Sequence, residues 1–204
     1  LVQVALAVHP DADSWEFAAF RPVLQPGEAR RGMRLNLGCG NRHLEGFVNV
    51  DMADNWCSKP PDVSCNIAER LPFDDGVADE IHAYHVFEHF YRYEADQILM
   101  DWIRVLKPGG TLVLELPCLD KIIDIFRFVI EGGHELPEHL TLWGLYGDPK
   151  YANPAMVHRW CYSASELTDM LAIHGLEVTQ TKAQTHQPLR DMRLEGVKRA
   201  PTHP

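Results

Sequence analysis

The sequence is short of positive charge. Its 204 residues carry 19 Lys and Arg against 29 Asp and Glu, a formal net charge of −10. That balance works against duplex nucleic acid and anionic lipid, so neither is expected as the main partner. One local cluster near the C-terminus, Arg190, Arg193, Lys198 and Arg199, stands as a candidate nucleic-acid footprint inside the negative total. Cysteines are also few. There are five, an odd number with no CxxC pair, which fits a reduced, cytoplasmic compartment better than a disulfide framework. No stretch approaches the ~20 apolar residues of a membrane span. The opening LVQVALAV is apolar but short and lacks a basic flank, so no signal peptide is expected. Repeats and low-complexity tracts are absent.

What the chain does have is alternation. From Met33 onward, strand-like and helix-like segments follow one another. MRLNLGC and FVNVD read as buried strands, PDVSCNI as a weaker third and ADEIHAYHV as a fourth. Ala95, Ile98, Leu99, Trp102, Ile103 and Leu106 share one helical face, which KPGG at 107–110 terminates. TLVLELP is the fifth strand, LDKIIDIFRFVIE a helix, and SASELTDMLAIHG a helix with a capping box at Ser163 and Glu166. LEVTQTKAQ and MRLEGVKRA close the chain as two strands. The expected fold is α/β, a mostly parallel sheet with helices on both faces. Residues 1–32 read as an N-terminal extension and 33–204 as one domain. Within it, 132–160 form an insertion of Gly, Pro, His and aromatics on the substrate side.

Sheets of this kind bind ligands at the carboxyl ends of their strands. LNLGCGNRHLEGFVNVD puts Gly38, Cys39 and Gly40 at one such end and Asp51 at the next. A dinucleotide site asks for a third glycine, where His43 stands, and for a helix before the acid, which NRHLEG has no room to form. A pyrophosphate uses that helix N-terminus; a nucleoside without phosphates does not need it. A glycine turn can carry the amino-acid part of S-adenosylmethionine, and the carboxylate of Asp51 can accept both ribose hydroxyls.

Four stretches, LNLGCG, VNVD, LPFDDGVADEIHAYHVFEH and RVLKPGGTLVLELP, occur in this order. With them the chain resembles class I S-adenosylmethionine-dependent methyltransferases, close to the type 11 group. The resemblance covers Met33 to Pro117. It implies a Rossmann-like three-layer sandwich with a seven-stranded sheet whose last strand is antiparallel. It implies S-adenosylmethionine as cofactor, with Asn36, Gly38, Cys39 and Gly40 along the methionine part. Asp51 falls on the ribose, Met52, Asn66 and Ile67 beside the adenine, and His85 facing the cofactor from the end of the fourth strand.

The expected activity is methyl transfer to a small-molecule or glycan-like acceptor, at oxygen in preference to nitrogen or carbon. The alternative is a non-catalytic cofactor-binding module on the same fold. A nicotinamide oxidoreductase is the rival that the missing third glycine disfavours. A base is needed only where the acceptor must lose a proton, and His85, His158 and Glu115 are the candidates. His158, Arg159, Tyr151 and Arg190 are the candidate acceptor contacts. No metal site is expected, because His82 and His85 differ by an odd step on a strand and point to opposite faces.

Overall fold

The computed structural model describes residues 32–52 and 58–200. The apolar N-terminus and nearly all of the extension assigned to 1–32 lie outside the described residues. Seven strands form one sheet: β1 (Met33–Leu37), β2 (Val48–Asp51), β3 (Val63–Ser64), β4 (Ala78–Tyr84), β5 (Leu106–Pro117), β6 (Leu176–Thr181) and β7 (Asp191–Lys198). Their order is β3-β2-β1-β4-β5-β7-β6. β1 to β5 pair in parallel, while β7 runs antiparallel to both β5 and β6. The switch point therefore lies between β1 and β4, next to the glycine turn.

The pleat sorts the sheet into two unlike faces. Leu35, Leu37, Val50, Ile81, Ala83, Leu112, Leu114, Leu116, Met192 and Leu194 are buried on one of them. Two helices supply the other half of that core. From α1 (Arg92–Val105) come Ala95, Ile98, Leu99 and Trp102, and from α4 (Ala164–Ile173) come Leu167, Met170 and Leu171. Trp102 is fully buried, and its indole N–H donates to Ile67 O at 2.9 Å, so the largest core residue leaves no polar atom unpaired. The opposite face carries Arg34, His82, Tyr84, Glu115, Arg193 and Glu195. Its rings and guanidinium groups stack: Arg34 lies over Phe47, and both Arg42 and Arg193 lie over Tyr84. Among the described residues the links from β1 to β2 and from β3 to β4 contain no helix.

Several boundaries differ from the sequence reading. KPGG does end α1, but as part of β5 and not as a loop. Leu106 is the first residue of β5 and no longer helical. Ala78 pairs with Leu106 and Glu80 with Thr111, so residues 107–110 bulge out opposite Asp79 alone. A Cβ on Gly110 would meet Lys107 O at 2.9 Å and Ala78 O at 3.1 Å, which is why the bulge needs glycine there. The helix read from LDKIIDIFRFVIE is α2 (Leu119–Gly132), closed by Gly133 in the left-handed region. The stretch 132–160 holds only short elements, among them α3 (Leu142–Tyr146). At α4 only half of the capping box forms. Ser163 Oγ accepts from Glu166 N at 3.1 Å, while the Glu166 carboxylate turns to Arg92 and Trp160.

Candidate functional site

β1 hands the chain to a turn in which Gly38 has φ 64° and Gly40 φ 48°. A Cβ on Gly38 would stand 2.4 Å from Val86 Cγ2, so this glycine lets the turn close onto the end of β4. Asp51 ties the turn to β2. Its Oδ2 accepts from Gly40 N at 2.7 Å and its Oδ1 from Met52 N at 2.7 Å. Each oxygen keeps a second lone pair, so the aimed carboxylate can still accept from two hydroxyls. Cys65 N donates to the main-chain O of Asp51 at 3.0 Å, so Asn66 and buried Ile67 follow directly after a residue tied to the end of β2. Cys39 is buried, and its sulfur sits 3.8 Å from His43 Nε2. Asn36 lies behind the turn. Its amide donates to Arg42 O at 2.8 Å and to Asn49 Oδ1 at 2.9 Å, so its donors go to the loop and to β2.

A second feature opens at the same end of the sheet, beyond β4, β5 and β7. It is a cavity of about 380 Å³ lined in part by His85, Trp143, Tyr151, His158, His186 and Arg190. His85 leaves β4 with φ 55°, the one non-glycine residue with positive φ among those described. That backbone turns its ring between two buried carboxylates. Nδ1 faces Glu88 Oε1 at 3.2 Å, and Nε2 faces Asp191 Oδ2 at 3.1 Å. Burial pushes the His85 pKa down, but Asp191 and Glu88 more than offset it and the pKa is raised. Burial pushes the Glu88 and Asp191 carboxyls up, and the imidazole between them outweighs it, so both are lowered. His158 is the contrasting histidine. Burial lowers its pKa. Its Nδ1 lies 2.9 Å from Gly144 O, which can only accept, so Nδ1 carries the proton and Nε2 is the free base. That Nε2 stands 3.9 Å from Glu88 Oε1.

The remaining sequence candidates divide. Tyr151 and Arg190 line the cavity. Arg190 is held by Asp191 Oδ1 at 2.7 Å and by His139 O at 2.9 Å. Arg159 does not line it. Its guanidinium donates to His89 O at 2.6 Å and covers the Tyr91 ring. Glu115 is no base either. It is buried, and its oxygens accept from Gln184 N, from the amide and hydroxyl of Thr185 and from Arg193. The basic cluster is not a surface patch. Arg190 and Arg193 are buried in ion pairs, and Lys198 Nζ donates to Ile103 O and Leu106 O. Glu88, His186 and Asp191 were missed by the sequence reading. Their polar character was the signal, and for His186 and Asp191 the neighbour that gives it meaning, His85, lies far along the chain.

Residues 35–114 match the family model described as a methyltransferase domain. Over that span the chain is similar to methyltransferase domains. The matched span runs from β1 through β4 into β5, and so contains the glycine turn and Asp51. Solved methyltransferases share the fold. An S-adenosylmethionine-dependent methyltransferase of Archaeoglobus fulgidus is 16% identical with a TM-score of 0.55, over 82% of this chain and 86% of its own. A protein of Pyrococcus horikoshii reaches a TM-score of 0.58 at 16% identity, over 84% of each chain. An O-methyltransferase family protein of Burkholderia thailandensis is 15% identical with a TM-score of 0.55, over 86% of this chain and 53% of its own. Among curated proteins, ubiquitin carboxyl-terminal hydrolase 5 of Schizosaccharomyces pombe is 30% identical over 82 residues. That stretch is 39% of this chain and 7% of that protein, so the chain spans a small fraction of the relative's length. S-adenosylmethionine is the cofactor that goes with the methyltransferase domain, and the turn fits it. The glycines offer bare backbone, Asp51 offers aimed acceptor oxygens, and no helix N-terminus waits for a phosphate. No helix among the described residues is long and apolar enough to cross a membrane.

Proposed function

We propose that the chain methylates a hydroxyl of a small-molecule or glycan-like acceptor held in the cavity at 85–190. S-adenosylmethionine, when bound, supplies a methyl group on a sulfonium that leaves as a neutral thioether. Gly38, Cys39 and Gly40 would line its methionine part, and Asp51 would hold the ribose. Met52, Asn66 and Ile67 would flank the adenine. The chain's own contribution is alignment and one proton. His158 Nε2 takes the proton from the acceptor hydroxyl. Its Nδ1–H stays on Gly144 O, and the buried Glu88 carboxylate steadies the imidazolium that forms. Tyr151 and Trp143 give the acceptor a flat surface, and Arg190 gives it a hydrogen-bond donor.

The observation that carries this reading is His158: an imidazole with its pKa lowered by burial and its Nδ1 committed to Gly144 O, lining a cavity at the same end of the sheet as the glycine turn. The cavity also speaks for an enzyme over a binding module, since a module needs no second space beside its ligand. The test is methyl transfer from labelled S-adenosylmethionine to a panel of sugars and hydroxylated aromatics. His158→Gln should lower kcat about 10²- to 10⁴-fold, the usual worth of a positioned base, and leave S-adenosylhomocysteine binding unchanged. Transfer that persists in His158→Gln removes the base assignment. Cofactor binding without transfer to any acceptor favours the module.

A further inference from the structure

His85 and Asp191 form a close ion pair whose geometry falls short of a well-aligned hydrogen bond. Their facing atoms are 3.1 Å apart, yet His85 Nε2 is buried with no hydrogen-bond partner. The exposed ring of His186 joins them from the loop between β6 and β7. One donor atom from each of His85, His186 and Asp191 lies within 4.8 Å of the other two. Ligands held about 2.0–2.2 Å from one divalent ion stand roughly 3 Å apart, the separation already present between His85 and Asp191. We propose that His85, His186 and Asp191 form a binding site for a first-row divalent transition metal at the floor of the cavity.

Three further observations support it. The first is the shell behind the ligands. Glu88 faces His85 Nδ1 at 3.2 Å, and neither Glu88 oxygen has a hydrogen-bond partner, although the residue is 0% exposed. A carboxylate behind a metal-bound imidazole orients the ring and makes its other nitrogen a better donor. The second is fixation. Asp191 is held on Oδ2 by Gln187 N at 2.8 Å and on Oδ1 by Arg190 Nε at 2.7 Å. His186 follows Thr185, which Glu115 anchors. The left-handed backbone of His85 aims its ring where a regular strand would not. The third is charge, and it holds once the metal has displaced the His85 proton: Glu88, Asp191 and Arg190 then leave the site one net negative charge, which favours a dication.

Two imidazoles and one carboxylate suit zinc, iron(II), cobalt or nickel. Magnesium and calcium prefer oxygen-only shells. Three protein ligands leave a position open toward the cavity, because His85 and His186 both line it. An acceptor oxygen bound there would be held beside His158 and made more acidic. That use rests on the proposed methyl transfer; the binding of metal does not.

The experiment is a titration of the full chain, freed of metal with chelator, by cobalt(II) chloride. Visible d–d absorption and calorimetry are the readouts. One cobalt ion should bind per chain, with bands of four- or five-coordinate cobalt, and zinc should displace it. His186→Ala changes an exposed loop ring and should weaken binding at least tenfold. Asp191→Asn should do the same with an unchanged circular dichroism spectrum. A neighbouring set, Glu88, His89 and His158, also has donor atoms within 4.8 Å of one another. His89→Ala should therefore leave cobalt binding intact. The proposal is overturned by absent cobalt binding, by His186→Ala binding as tightly as the parent, or by loss in His89→Ala alone. None of these readouts requires methyl donor or acceptor, so failure here and failure of the transferase reading are told apart.

Discussion

Asp51 shows how much one side chain can be asked to do. Its two oxygens close the glycine turn onto β2 through Gly40 N and Met52 N, and the same oxygens are the proposed ribose acceptors. Asp51→Ala should weaken S-adenosylhomocysteine binding at least tenfold, about 1.4 kcal/mol, by calorimetry. An unchanged dissociation constant would remove Asp51 from the cofactor site. At this scale the sequence was uneven. Gly38 and Asp51 were legible because spacing alone brings them to adjacent strand ends. His85 was legible as a position but not in the company it keeps. Its two carboxylates come from Glu88, three residues on, and from Asp191, which begins the last strand. Glu115 misled for the opposite reason. A carboxylate at a strand end looks available until the loop that consumes it is in place.

Among the elements, α1 is the tie between core and cofactor side. Trp102 fills the apolar face, and its N–H reaches Ile67 O in the segment after β3. Trp102→Phe keeps most of the ring volume and leaves that carbonyl unpaired. It should cost about 1–3 kcal/mol in urea unfolding. It should also raise the cofactor dissociation constant modestly, because Ile67 would flank the adenine. Equal stability of parent and variant would show that the carbonyl finds another donor. Strands and helices with a clean apolar period were readable from the chain. The start of β5 was not, because Pro108, Gly109 and Gly110 are stop signals in any local reading. Only pairing with β4 on one side lets Lys107 and these three bulge within a strand.

For the molecule as a whole, the polar second face of the sheet sets a dependence on pH. Burial first, then the nearby Arg193 and Arg34, lower His82 to about 4 from 6.5. Between those values the unfolded chain takes up a proton that the folded one refuses. The contribution is therefore complete above pH 6.5 and is lost as pH falls toward 4. Two pKa units or so correspond to roughly 1–3 kcal/mol once partial exposure is allowed for. His82→Gln should flatten the decline in unfolding free energy between pH 7 and 4.5 relative to the parent. Parallel curves for the two proteins would refute the assignment.

The antiparallel wedge of β7 between β5 and β6 has a consequence for the order of assembly. The strands that bear the proposed nucleoside site, β1 and β2, come early in the chain. Asp191 and Arg190 arrive only with the closing strand, and without it β6 has no neighbour to hold it on the sheet. On the proposed reading, the cofactor seat is made by strands early in the chain, and the acceptor chamber is complete only once β7 has joined β5 and β6.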